Sequence, residues 1–159
     1  PAAAQHRHVL VLATPLTLRE EKFAALMQRC AASAEILPLP CPELVEFVER
    51  GELDSPALTA YLARQLGPYA GHVDAVVLGC THYPIVEENF HECYPEMHLI
   101  NPALEQANAV KAYLTEQNAL NPQKKGKFVI CTSGDPQVYV NVGKRLGLFE
   151  ASELKVVHI

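Results

Sequence analysis

Short continuous runs of apolar residues alternate along this chain with longer stretches in which apolar residues recur every three or four positions. Runs of the first kind are typical of buried parallel strands, and the three-to-four spacing is typical of amphipathic helices. We therefore predict strands over 8–13, 35–39, 73–78, 98–100, 127–131 and 154–159. We predict helices over 20–32, 42–50, 55–69, 85–94, 103–116 and 136–146.

Two local signals refine these predictions. Thr17 stands three residues before Glu20, which is the spacing of a capping box at the start of the first helix. Pro38 and Pro40 interrupt the second strand, and proline cannot donate a hydrogen bond to a neighbouring strand. We therefore expect that strand to be weak or to lie at an edge of the sheet.

The alternation of strands and helices predicts the fold class. It indicates an α/β fold with a mainly parallel sheet flanked by helices. Right-handed crossovers place every strand-to-helix loop at the same edge of such a sheet, which is where open α/β sheets bind ligands. The loops that we expect at this edge are 14–17, 79–84 and 132–135.

Composition excludes several classes of protein. The chain has 159 residues, of which 49% are hydrophobic and 19% charged, so it is too apolar for a disordered protein. A net charge of −5 argues against nucleic acid as a partner. The apolar runs are too short to span a bilayer, so we expect no membrane partner either. The five cysteines form no C-x-x-C pair, which is typical of a reduced, cytoplasmic protein.

Cys80 has the setting of a reactive thiol. It follows the buried strand at 73–78 and precedes a helix, whose N-terminus favours a thiolate, and Gly79 allows a sharp turn. His82 can exchange a proton with the thiol, and Thr81 with nearby backbone N–H groups can hold a carboxylate. This combination suits removal of a proton next to a carboxylate. The alternative is a small buried cysteine that ends a strand, beside a capping threonine and an ordinary histidine.

Other chemistry is less well supported by the spacing of residues. His91, Cys93 and His98 match no strong zinc pattern, so we expect no metal site. The segment 133–135, Ser-Gly-Asp, stands before a helix and lacks the length and the lysine of a phosphate-binding loop. It favours a capped helix.

The segment from Val76 to Pro84, VVLGCTHYP, resembles the second cysteine motif of the glutamate racemases. Segments 12–19, 41–52 and 132–136 resemble further parts of that family, so the similarity covers nearly the whole chain. The Asp-Ser-Gly loop and the Cys-Asn-Thr motif with which the family begins do not occur in these residues. The chain thus resembles the C-terminal portion of an aspartate/glutamate racemase fold. The resemblance implies a second α/β domain over 1–100 and, over 101–159, a segment that returns to complete the first domain.

The resemblance also implies an activity, which is cofactor-independent racemisation of glutamate by two cysteines on opposite sides of the α-carbon. Cys80 would be one of them, and His82 and Glu49 would assist proton transfer around it. The residues that would bind substrate are Thr14, Thr17 and Thr81. Since only one of the two cysteines stands in these residues, we expect the chain alone to be inactive.

Two other functions stay open at this point. One is racemisation of aspartate or another small amino acid, and the other is a non-catalytic α/β module that binds a ligand or a partner. The family resemblance implies glutamate as the small-molecule partner and a role in supplying D-glutamate for peptidoglycan. A homo-oligomer is also left open.

Overall fold

The structure, a computed structural model, describes residues 6–122, 128–146 and 152–157. The chain divides into two compact units. The first contains most of the residues up to Pro102, and the second contains those from Ala103 onward together with Glu49–Gly51. None of the described helices has both the length and the apolar character needed to cross a bilayer.

As far as residue 100, one or two helices separate each strand from the next, in keeping with the α/β pattern of the sequence. In chain order the elements are β1 His8–Ala13, α1 Pro15–Arg19, α2 Glu21–Cys30, β2 Glu35–Pro40, α3 Pro42–Arg50, α4 Pro56–Leu66, β3 Ala75–Leu78, α5 Glu87–Cys93 and β4 His98–Ile100. Short 3₁₀ helices over Gly67–Tyr69 and Tyr83–Val86 follow α4 and precede α5.

The strands of the first unit form a parallel sheet in the order β2-β1-β3-β4. The predicted α/β class with a mainly parallel sheet is therefore confirmed. β2 pairs only with β1, so the strand that contains Pro38 and Pro40 lies at an edge, as predicted. β1 and β3 are neighbours, and Leu12 is in register with Leu78.

The core of the first unit lies against the two central strands. Leu10, Leu12 and Val76 are completely buried there, and the helices add Leu44, Leu58 and Leu66. Burial of each such side chain contributes about 1.5–3 kcal/mol. β1 and β3 are therefore anchored in this core.

The predicted capping box at Thr17 is wrong. Thr17 lies inside α1, and the N-cap of that helix is Thr14, whose Oγ1 accepts a hydrogen bond from the Thr17 N–H at 3.3 Å. Pro15 follows the cap directly, and its fixed φ suits the first helical position. Glu20 is the N-cap of α2 and makes no side-chain capping hydrogen bond.

The second unit contains α6 Ala103–Glu116, β5 Phe128–Thr132, α7 Pro136–Arg145 and β6 Ser152–Val156. Within the described residues, β5 and β6 form a two-stranded parallel sheet. The Asp135 Oδ1 accepts a hydrogen bond from the Gln137 N–H at 2.8 Å, so the predicted capped helix is confirmed. Residue 127 and residues 158–159, which the sequence assigns to strands, lie outside the described residues.

Candidate active site

The turn after β3 begins with a close approach between two backbones. The Gly79 N–H donates to the Leu12 carbonyl at 2.8 Å. A Cβ at position 79 would lie only 2.6 Å from the same oxygen, so glycine is the residue that fits without displacing β1. This contact fixes the start of the turn that carries Cys80, at the carboxyl edge of the sheet.

Cys80 and His82 lie next to each other in this turn. The Cys80 Sγ is 3.8 Å from the His82 Nδ1, and the Thr81 Oγ1 is 3.4 Å from the same nitrogen. Cys80 and His82 are half-buried and Thr81 is exposed. A thiol with some access to solvent and an imidazole at this distance can exchange a proton. The structure thus brings together three of the six residues singled out by the sequence.

The two threonines after β1 form a second pair. The hydroxyl oxygens of Thr14 and Thr17 are 3.0 Å apart, and both side chains are half-buried. Thr14 and Cys80 each come two residues after the paired residues Leu12 and Leu78. Parallel neighbouring strands end at the same edge, so both groups lie at the carboxyl edge of the sheet.

Glu49 is placed differently. It lies in the last turn of α3 with an exposed side chain, and Glu49–Gly51 are grouped with the second unit. Its role in proton transfer around Cys80 stays a prediction.

Sequence reasoning missed Tyr83. Its side chain is completely buried, and its hydroxyl donates to the Cys41 carbonyl at 2.8 Å. Burial raises the pKa of the Tyr83 hydroxyl, and negative charge on the Cys41 or Cys80 sulfur raises this pKa further. Tyr83 is therefore a neutral donor. Its position within the Cys80 motif is the signal that could have pointed to it.

Cys41 lies at the same edge of the sheet, directly after β2, but it differs from Cys80 in burial. Only 1% of its surface is exposed, and this burial raises the pKa of its thiol to about 11. Cys41 therefore keeps its proton at neutral pH, whereas Cys80 retains access to solvent. All five cysteines carry free thiols, and no group of His, Cys, Asp or Glu suited to a metal ion occurs in the described parts of the chain.

Comparison of the sequence with known proteins identifies relatives along most of the chain. No family model matches it. Glutamate racemase from Bifidobacterium animalis subsp. lactis (strain AD011) is 41% identical over 138 residues, which are 83% of this chain and 52% of the relative. Glutamate racemase from Clostridium botulinum (strain Alaska E43 / Type E3) is 34% identical over 142 residues, 87% of this chain and 55% of the relative. The chain spans about half the length of the curated relatives that it matches.

Solved structures give the same result for the fold. Escherichia coli glutamate racemase in complex with L-glutamate and the activator UDP-MurNAc-ala superposes with a TM-score of 0.78 and 26% identity, over 100% of this chain and 62% of that chain. Glutamate racemase from Francisella tularensis subsp. tularensis SCHU S4 in complex with D-glutamate has a TM-score of 0.83 and 24% identity, over 98% of this chain and 59% of that one.

Proposed function

We propose that this chain, which is homologous to glutamate racemases over 83–92% of its length, forms one half of an active site that interconverts L- and D-glutamate. The observation that carries the proposal is the contact between the Cys80 Sγ and the His82 Nδ1 at the carboxyl edge of the sheet. The remaining half, with a second cysteine, lies outside these 159 residues.

The proposed reaction is an exchange of one proton. The Cys80 thiolate removes the α-proton of L-glutamate, so that a Cα–H bond breaks and an S–H bond forms. The thiol of the second cysteine then gives its proton to the opposite face of the carbanion and becomes a thiolate. Two cysteines are needed, because a single base would return the proton to the face from which it came. His82 lies where it can help Cys80 lose and regain its proton.

The hydroxyls of three threonines are the donors that we propose for the substrate. They belong to the pair Thr14 and Thr17 and to Thr81, beside His82. Glutamate is favoured over aspartate or another amino acid by the relatives, and the E. coli and F. tularensis proteins hold L- and D-glutamate respectively.

We further propose that residues 1–100 form a complete domain and that 101–159 form part of another. α6 has no buried residue and exposes Leu104, Val110 and Tyr113. A two-stranded parallel sheet such as β5–β6 is not expected to be stable without further strands. We propose that elements from outside these residues cover this surface. A dimer in sedimentation experiments would favour a second copy of the chain as the element that covers this surface.

The proposal extends to the cellular role. Free thiols at all five cysteines are typical of a reducing compartment, which supports a cytoplasmic location. There the enzyme would supply D-glutamate for peptidoglycan.

The experiment measures racemisation and α-proton exchange in D₂O with the longer protein. Cys80→Ala should lower the rate by about a hundredfold or more, because a positioned general base contributes at least that factor. Cys30→Ala, which changes a half-buried cysteine on α2, serves as the matched control and should keep the activity. A wild-type rate in Cys80→Ala, or turnover by the 159-residue chain alone, would overturn the proposal.

A further inference from the structure

Tyr83 is a buried polar residue that the two-cysteine reaction does not use. It lies three residues after Cys80. We propose that Tyr83 is a positioning residue, whose hydrogen bond to the Cys41 carbonyl holds the turn in which the Cys80 Sγ lies next to the His82 Nδ1. The contribution of this contact to catalysis rests on the function proposed above, but the positioning itself does not.

The Cys80 turn is tethered at both of its ends. At the first end, the Gly79 N–H donates to the Leu12 carbonyl at 2.8 Å. At the other end, the Tyr83 hydroxyl donates to the Cys41 carbonyl, also at 2.8 Å, and the Tyr83 N–H donates to the Cys80 carbonyl at 3.2 Å. The bond to Leu12 holds the turn to β1, the bond to Cys80 closes the turn, and the tyrosine hydroxyl joins the turn to the end of β2.

The acceptor of the tyrosine hydroxyl is itself held in place. The Cys41 N–H donates to the Ala13 carbonyl at 3.1 Å, and the Cys41 carbonyl also accepts from the Leu44 N–H at 3.3 Å. Removal of the tyrosine hydroxyl therefore leaves this carbonyl with a partner. Tyr83→Phe therefore removes the hydrogen bond to Cys41 but keeps the buried ring, so we expect this variant to fold.

The contact between thiol and imidazole is the feature that depends on this tether. At 3.8 Å it is at the long end of the range for sulfur, and both groups are half-buried. A small movement of the turn is enough to separate the two atoms, because the contact is already long. A hydrogen bond worth about 1 kcal/mol changes the ratio of closed to open turn about fivefold.

The test compares alkylation of Cys80 by iodoacetamide in the longer protein used above, with each cysteine followed by peptide mass spectrometry. His82→Ala should slow alkylation of Cys80 about fivefold relative to Cys30, because the thiol loses a neighbour that stabilises its reactive form. In a Tyr83→Phe background the same change should have less than about a twofold effect, since the thiol is already released from the ring.

Tyr94→Phe is the matched control. Tyr94 also donates to a backbone carbonyl, that of Ala63 at 3.2 Å, but it is at the end of α5. His82→Ala should keep its full effect in this background. The pH profile of Cys80 alkylation should likewise become the same in Tyr83→Phe as in His82→Ala and should not change in Tyr94→Phe.

Alkylation of buried Cys41 reports whether each variant is folded. If Tyr83→Phe exposes Cys41, 4-fluorophenylalanine at position 83 replaces it, because fluorine fills the volume of the hydroxyl without donating. An equal effect of His82→Ala in all backgrounds, or no effect in the wild-type chain, would overturn the positioning role. Neither outcome depends on racemisation, so failure of the proposed function would be seen separately.

Discussion

Gly79→Ala tests whether the close approach of β1 to the Cys80 turn excludes side chains with a Cβ atom from position 79. The new Cβ would lie 2.6 Å from the Leu12 carbonyl oxygen, a distance that Cβ atoms essentially never show. The clash is with backbone, so no side chain can turn away from it. The turn and β1 would have to separate by several tenths of an ångström, and the 2.8 Å hydrogen bond from the Gly79 N–H would lengthen.

The expected cost follows from these contacts. Overpacking a close-packed site lowers the free energy of unfolding by about 1–3 kcal/mol. Replacing glycine with alanine raises it by about 0.4–1 kcal/mol, because alanine restricts the unfolded chain. We therefore expect Gly79→Ala to destabilise the first unit by about 1–2 kcal/mol. With a urea m-value of about 1 kcal/mol/M, the unfolding midpoint should fall by about 1–2 M.

Pulsed alkylation of Cys41 in increasing urea measures this midpoint for the first unit, because the thiol is 1% exposed in the folded protein. Gly67→Ala is the matched control. Gly67 has a helical φ of −49°, and its new Cβ would meet the Tyr94 hydroxyl at an ordinary 3.6 Å. The control should match or exceed the wild-type midpoint. Equal midpoints for the two variants would show that the Gly79 contact imposes no constraint.

Two further predictions concern polar groups that hold the first unit together. Asp74 accepts backbone hydrogen bonds from Arg7 and His8, each 2.8 Å long, and these lower the pKa of its carboxyl group. Its stabilising effect is present above its unfolded-state pKa and is lost as pH falls through the lower folded-state pKa. Asp74→Asn should therefore lower the urea midpoint near pH 7, and its difference from the wild type should shrink as the pH is lowered through the acidic range. The Nδ2 of buried Asn89 donates to the Leu53 carbonyl at 2.8 Å, so Asn89→Ala should cost about 1–3 kcal/mol in the same urea assay, and a wild-type midpoint would contradict this.

Most of the elements that sequence reasoning predicted have enough residues to show a pattern. β1 and β3 are continuous apolar runs, and β2 carries the two prolines of an edge strand. α1 was missed because five residues contain little more than one turn, too few for a helical period to appear. Because α1 is so short, its start could not be located from the sequence. Thr17 was therefore predicted as an N-cap, whereas the structure shows Thr14 in that role.

In the candidate site too, sequence reasoning found what is local and missed a contact between distant residues. Cys80, Thr81 and His82 are consecutive, so a local motif was enough to bring them together. The hydrogen bond from Tyr83 to Cys41 joins residues 42 positions apart. Such a contact follows from the pairing of the sheet and not from any local spacing, and this is why sequence reasoning treated Tyr83 only as part of a motif.

The positions of the cysteines also limit where a second acid or base can come from. In a parallel α/β unit each helix returns the chain to the amino edge of the sheet, so Cys30 at the end of α2 and Cys93 at the end of α5 lie away from the loops that follow the strands. Cys41 lies at the carboxyl edge, but it is buried and its raised pKa keeps it protonated. Cys80 is therefore the one cysteine of the first unit that is both accessible and correctly placed. The proposed racemisation by two thiols therefore requires the second thiol to come from outside the unit.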